Sequence, residues 1–189
     1  MRKRWIGFIV TALFFPVLAN CQAVSPATAR TAYFSIGGFY SYAQTDYGQH
    51  HAMGWGGFSD LNYWPFGHGR LLGSIGVGVE GEARVIDFHL QSGTAFQNYL
   101  GGPRVSFRTR YFEPYAKFMY GGSRFHYPTF ISTQTYTYTT YAIGGGLDMK
   151  MSDRVYFRAV DFEDQHFTNY PPYGLTPWTL STGLSFRIF

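Results

Sequence analysis

The groups in this chain best suited to chemistry are charged side chains embedded in apolar stretches: Asp60, Glu80, Glu82, Arg84, Arg104, Arg108, Glu113, Lys117, Asp148, Lys150, Arg158 and Arg187. Many alternate with apolar neighbours, as in Val79-Glu80-Gly81-Glu82-Ala83-Arg84-Val85. Period-2 spacing puts such charges on one face of an extended segment. Acids and bases are nearly balanced. A set of this kind supports an ion path, a site that protonates a substrate, or a closed lattice of ion pairs. The lattice needs only that opposite charges meet, and it is the reading taken here.

The histidines form a second constellation. His50, His51, His89, His126 and His166 fall at or beside predicted loops of one end, and His68 falls at the other. Three imidazoles converging, with Asp46, Asp87 or Asp164 assisting, would hold zinc or copper. No H-x-x-x-H spacing is present, so these residues are expected to be interfacial side chains and not metal ligands. His89 with Ser92 and His126 with Ser132 are the available imidazole–hydroxyl pairs for acyl transfer. Neither lies in a nucleophile motif, and no catalytic residue is assigned. Gly144-Gly145-Gly146 opens no helix, which excludes a phosphate loop. No cofactor is implied.

The elements that must position these charges are strands. From Tyr136 the chain reads TYTYTTYAIGGGLDMK, breaks at Met151-Ser152-Asp153, and resumes as RVYFRAVDFEDQH. Tyr141, Ile143, Gly145, Leu147 and Met149 form one row; Thr140, Gly144, Gly146, Asp148 and Lys150 form the other. After the break Val155, Phe157 and Ala159 alternate against Tyr156, Arg158 and Val160. Two such runs joined by three residues predict a hairpin. The same pattern gives strands over 31–44, 52–62, 71–88, 95–108, 113–126, 136–150, 154–166 and 176–189. The segments 45–51, 63–70, 109–112, 127–135 and 167–175 are connections. The apolar rows are rich in aromatics, and the opposing rows carry the charges. That combination predicts an all-β, eight-stranded, antiparallel up-and-down transmembrane barrel, apolar toward lipid and polar within. At eight strands, side chains just fill the interior.

Composition agrees. Aromatics make up 21% of the 189 residues and charged residues only 14%, with 23 Gly. The first residues are a separate object. Arg2, Lys3 and Arg4 precede an apolar run to Ala19, and Cys21-Gln22-Ala23 offers small residues around a cleavage site after Ala23. Residues 1–23 are therefore read as a signal peptide and 24–189 as the barrel. The rival is a lipoprotein leader with Cys21 as the lipidated residue. Loss of Arg2, Lys3 and Arg4 lowers the formal charge from +4 to +1. The basic balance is thus no sign of a nucleic-acid partner. Cys21 is the only cysteine, which rules out a disulfide framework.

The run VGVEGEARVIDF, the pair LGGPRVSFR and FEPYAKFMYGG, and the terminal GLSFRIF resemble the small outer-membrane β-barrel family, the OmpA/OmpX-like transmembrane domain. The resemblance extends over the mature chain. It implies an outer-membrane location, contact with outer-membrane lipids, and delivery by periplasmic chaperones to the barrel-assembly machinery. It implies a monomer with a structural or surface-interaction role, without catalysis. The alternatives are a narrow pore for ions or small solutes and an outer-leaflet enzyme modifying lipid A. Barrels of this family end on an alternating strand with a final Phe. Here the apolar row Leu184, Phe186, Ile188 is one residue out of step with Phe189.

Overall fold

The computed structural model describes residues 32–44, 51–65, 74–87, 95–128, 133–168, 170 and 174–188. The leader, Ala23, Cys21 and Phe189 lie outside these, as do His50, His68 and His89. Eight strands follow one another: β1 Ala32–Gln44, β2 His51–Tyr63, β3 Ile75–Asp87, β4 Ala95–Phe107, β5 Phe112–Pro128, β6 Thr133–Lys150, β7 Val155–Thr168 and β8 Trp178–Arg187. Each pairs antiparallel with its sequence neighbours, and β1 pairs with β8 to close the barrel. Closure leaves no strand edge around the ring, so backbone groups are met within the wall, as a bilayer demands.

Alternation explains which side chains go where. Exposed large apolar residues occur on every strand, among them Ile36, Trp55, Val79, Tyr99, Phe118, Ile143, Phe162 and Leu184. A band of this kind around a whole molecule has no counterpart on soluble monomers, whose apolar patches are small. The inward rows hold the buried polar and charged residues. On β8, Leu180, Leu184, Phe186 and Ile188 are all exposed, so the terminal outward row is the even-numbered one.

Three features differ from the expected pattern. Strands β5 and β6 reach Pro128 and start at Thr133, so most of the segment read as a 127–135 loop is paired strand (Tyr127↔Gln134, Pro128↔Thr133). The β6–β7 ladder begins only at Thr139↔Thr168. Residues 133–138 therefore pair with β5 alone among the described strands. On β7, Leu147 pairs Val160 but Asp148 pairs Arg158, and the β8 ladder jumps from Arg158↔Gly183 to Asp161↔Ser181. The extra residue is a bulge, which reverses the in–out alternation downstream. Val160 consequently faces out, whereas simple alternation with Arg158 puts it inside. Finally, the β4–β5 connection keeps the expected length but is shifted by one residue: Arg108 is outside β4 and Phe112 is already strand, its backbone N–H and C=O held by Thr109.

Candidate functional site: the charged lumen

The bulge on β7 brings residues to the lumen that alternation alone misses. Beyond it, Asp161, Glu163 and Gln165 are fully buried. They join Glu80, Glu82 and Arg84 from β3, Arg104 from β4, Lys117 from β5, Asp148 from β6 and Arg158 from β7. Asp60 on β2 completes the set. The inner lattice thus has four cations and six carboxylates, more acidic than the balance read from sequence.

Lys117 is the hub. Its Nζ lies 2.6 Å from Glu163, 2.8 Å from Asp161, 2.9 Å from Glu80 and 3.4 Å from Glu82. Glu80, Glu82 and Asp161 offer oxygens within 4.8 Å of one another, a spacing that a metal ion could bridge, and the Lys117 ammonium lies among them. Arg158 grips Glu80 through two parallel N–H donors, at 3.1 and 3.0 Å. It also reaches Asp148 at 3.1 Å and Asp161 at 3.3 Å. Arg104 donates to Glu80 at 2.7 Å and to Asp148 at 2.6 Å, with Asp60 farther off at 3.9 Å. Arg84 pairs with Glu82 at 2.8 Å and Glu163 at 3.1 Å. Neutral donors serve the excess acids: the Asn62 amide donates to Asp60, and the Gln165 amide to Glu163 at 2.9 Å.

Glycine and aromatic residues hold the guanidinium groups flat. Arg158 stacks on Phe58 at 3.6 Å, Arg104 on Tyr115 at 3.8 Å and Arg84 on Phe39 at 4.9 Å. Each of these rings lies over an inward glycine of the neighbouring strand: Phe58 over Gly37, Phe39 over Gly56, Tyr115 over Gly146. A Cβ on Gly146 would fall 2.6 Å from the Tyr115 hydroxyl. Small residues in the wall are what let the rings lie along it.

The other expected lumen residues do not join this lattice. Arg108 and Arg187 form a second group at the mouth where β1 begins and β8 ends, around Glu113, at 3.6 and 3.8 Å. Lys150 stands apart from the lattice as well. Its side chain is at the rim, partly exposed, and pairs with Asp153 in the β6–β7 turn at 2.8 Å. Its position at the last residue of β6 puts it past the enclosed part of the wall. Asp153 is held below the usual carboxylate range by that hydrogen bond and by the Lys150 charge.

At the loop end the lumen is apolar. Ile86, Phe96, Phe125, Phe167 and Leu175 form a buried cluster with Ala43 and Ala52, against which Tyr138 and Tyr170 pack. Phe96 and Phe125 stack at 5.2 Å, and Phe167 meets both edge-on. The described histidines do not converge. His51 shares a hydrogen bond with Tyr42, His126 pairs with Thr135 at 3.1 Å, and His166 lies 3.3 Å from Asp164 and stacks on Tyr141. Each is engaged on its own strand or the one beside it. Ser92 and Ser132 lie outside the described residues.

A closed antiparallel barrel of eight meandering strands, with an apolar outside and a packed ionic interior, is the fold of the small outer-membrane β-barrels. Solved structures agree. Neisserial surface protein A matches with a TM-score of 0.56 at 15% identity, covering 84% of this chain and 98% of that one. The attachment invasion locus protein Ail of Yersinia pestis, bound to the heparin analogue sucrose octasulfate, matches with 0.56 at 17%, covering 82% and 97%. A major outer membrane protein of Thermus thermophilus matches with 0.54 at 15%, covering 84% and 100%. At these identities the likeness is one of fold. No protein-family model matches the chain, and no curated protein sequence does.

Proposed function

We propose that this protein is a monomeric outer-membrane barrel with a closed lumen, acting through its outer rim in a structural or surface-interaction role and not as an enzyme. On this reading residues 1–23 direct export and are removed after Ala23. Chaperones and the barrel-assembly machinery insert the rest, and outer-membrane lipids cover the apolar band. The observation that carries the role is the β5–β6 hairpin, whose ladder runs past the end of the β6–β7 ladder. Residues 133–138 pair with β5 past that point, and Tyr136 and Thr137 are exposed on them. A paired ribbon at the end of a rigid barrel presents exposed side chains to a partner at little ordering cost. The filled interior speaks against the narrow pore, since the buried lattice and the aromatic cluster occupy successive levels of the lumen.

Accessibility in cells tests the proposal. Without Cys21 the mature chain has no cysteine, so single thiols can be introduced cleanly. Thr137→Cys on the hairpin should react with a membrane-impermeant maleimide in intact cells. Ser152→Cys in the β6–β7 turn should react only after permeabilisation. The reverse pattern would overturn the orientation, and stable conductance steps from the wild type in planar bilayers would replace the closed barrel with a pore.

A further inference from the structure

We propose that the barrel mouth where β1 begins and β8 ends is a binding site for a phosphate group. The β4–β5 turn, the end of β6, the start of β7 and the end of β8 enclose a cavity of about 160 Å³ there. Arg108, Arg110, Lys150 and Arg187 line it, and among the described residues Glu113 is the one lining carboxylate. Even with Asp153 set against Lys150, four cations face two carboxylates.

Glu113 does not satisfy the arginines. One of its oxygens accepts from the Tyr33 hydroxyl. The other lies 3.6 Å from Arg108 Nε and 3.8 Å from Arg187 Nη2, both too long for a hydrogen bond. Among the described residues, Arg108 Nε and Nη2 and Arg187 Nε are buried with no acceptor. Buried donors without partners are costly, and these three call for an acceptor from outside the chain.

The geometry selects the ligand. The Arg187 guanidinium lies 3.3 Å from the centre of the Tyr33 ring and 4.2 Å from that of Tyr156. Arg108 lies 3.7 Å from Trp64 and 5.2 Å from Tyr33. Stacking by the faces fixes both forks and leaves their N–H edges for an acceptor in the plane. The tetrahedral oxygens of a phosphate can accept from two forks set at different angles, and its negative charge offsets part of the surplus. A planar carboxylate holds both of its oxygens in one plane and does not serve two such forks. Exposed Tyr111 and Phe112 border the same cavity, as aromatic residues do at the level of lipid headgroups. A lipid headgroup and soluble phosphate share this chemistry, and experiment separates them.

The full mature chain in dodecyl maltoside would be titrated with inorganic phosphate at constant ionic strength, following the Nε–H resonances of Arg108 and Arg187. In parallel, native mass spectrometry would compare retention of phosphatidylglycerol with that of diacylglycerol bearing the same chains. We expect saturable binding in at least one arm, weakened about tenfold or more by Arg187→Gln. Arg124→Gln, at the opposite end, should have no effect. Saturation by soluble phosphate alone assigns the free anion, and selective retention of phosphatidylglycerol assigns the headgroup. If Arg187→Gln does not fold, Arg110→Gln on the exposed turn provides the same comparison. Folded wild type that binds in neither arm, or binding that Arg124→Gln weakens equally, would overturn the site.

Discussion

Lys117→Met gives the most direct test of the charge lattice. Methionine keeps much of the aliphatic stem of lysine, so the change removes the ammonium without opening a large void. Removing one partner of a buried ion pair costs about 3–5 kcal/mol, because the other charge is left uncompensated. Here the cost should fall at the low end, on the order of 3 kcal/mol, since every carboxylate around Lys117 keeps a second cation. Glu80 retains Arg104 and Arg158, Glu82 and Glu163 retain Arg84, and Asp161 retains Arg158. The assay is urea unfolding of barrel refolded in lipid vesicles, followed by tryptophan fluorescence. Adding Glu163→Gln should recover a sizeable part of the loss, because it removes the carboxylate nearest Lys117, at 2.6 Å, and leaves Arg84 its contact with Glu82. A loss below about 1 kcal/mol, the range of an exposed pair, would refute the view that these charges hold one another in place. So would a double variant less stable than the single one.

Other expectations follow from the same geometry. Ile143→Arg, on the lipid face of β6, should cost about 2–4 kcal/mol if near mid-membrane and lower the yield of heat-modifiable barrel on gels; unchanged folding would mean that the faces are misassigned. Gly146→Val should displace the Tyr115 ring and lower the unfolding midpoint, whereas Gly122→Ser, where a side chain would meet only one distant backbone oxygen, should be tolerated. Asp153 should titrate nearer the ordinary carboxylate range in Lys150→Met, seen as an upward shift in an NMR pH titration, because its hydrogen-bond donor and nearby charge are both gone. N-terminal sequencing of membrane-extracted protein should begin at Val24; a lipid-modified Cys21 would replace the cleaved leader with a lipoprotein.

The barrel class was legible because its signal is redundant. Eight runs of alternation, short turns and aromatic-rich apolar rows all repeat, so an error of a few residues at one strand end changes nothing. The lumen was harder to read, because it depends on phase. Continuing the row Tyr156, Arg158, Val160 sends Asp161 and Glu163 to the lipid face. A signal to correct this was present: two acids on a membrane face are costly, so the alternation had to slip between Arg158 and Asp161. Lys150 stands apart from the lattice for a different reason. Its row was right, but inward phase at the last residue of a strand points over the rim and not into the core. The length of the β5–β6 hairpin was hidden because Thr and Tyr, frequent in 133–139, suit a strand and an exposed polar connection alike.

What alternation cannot convey is why this chain needs so many glycines and rings together. A lattice of planar guanidiniums inside a narrow barrel must be supported on their faces as well as their edges. Carboxylates meet the edges. Faces require flat partners, and flat partners lying along a strand require neighbours without side chains. Gly37 with Phe58 and Arg158, Gly56 with Phe39 and Arg84, and Gly146 with Tyr115 and Arg104 are three instances of one arrangement. At the mouth Gly76 with Trp64 and Arg108 makes a fourth. In the first three each arginine lies close to a carboxylate, Arg84 at 2.8 Å, Arg104 at 2.6 Å and Arg158 at 3.0 Å, although Arg84 Nε and Nη2 and Arg104 Nε also lack a hydrogen-bond acceptor among the described residues. In the fourth the stacking is the same but the edge of Arg108 is not met, since Glu113 stands too far away. The same device therefore closes the lumen where carboxylates complete it and leaves an anion-accepting edge where they do not.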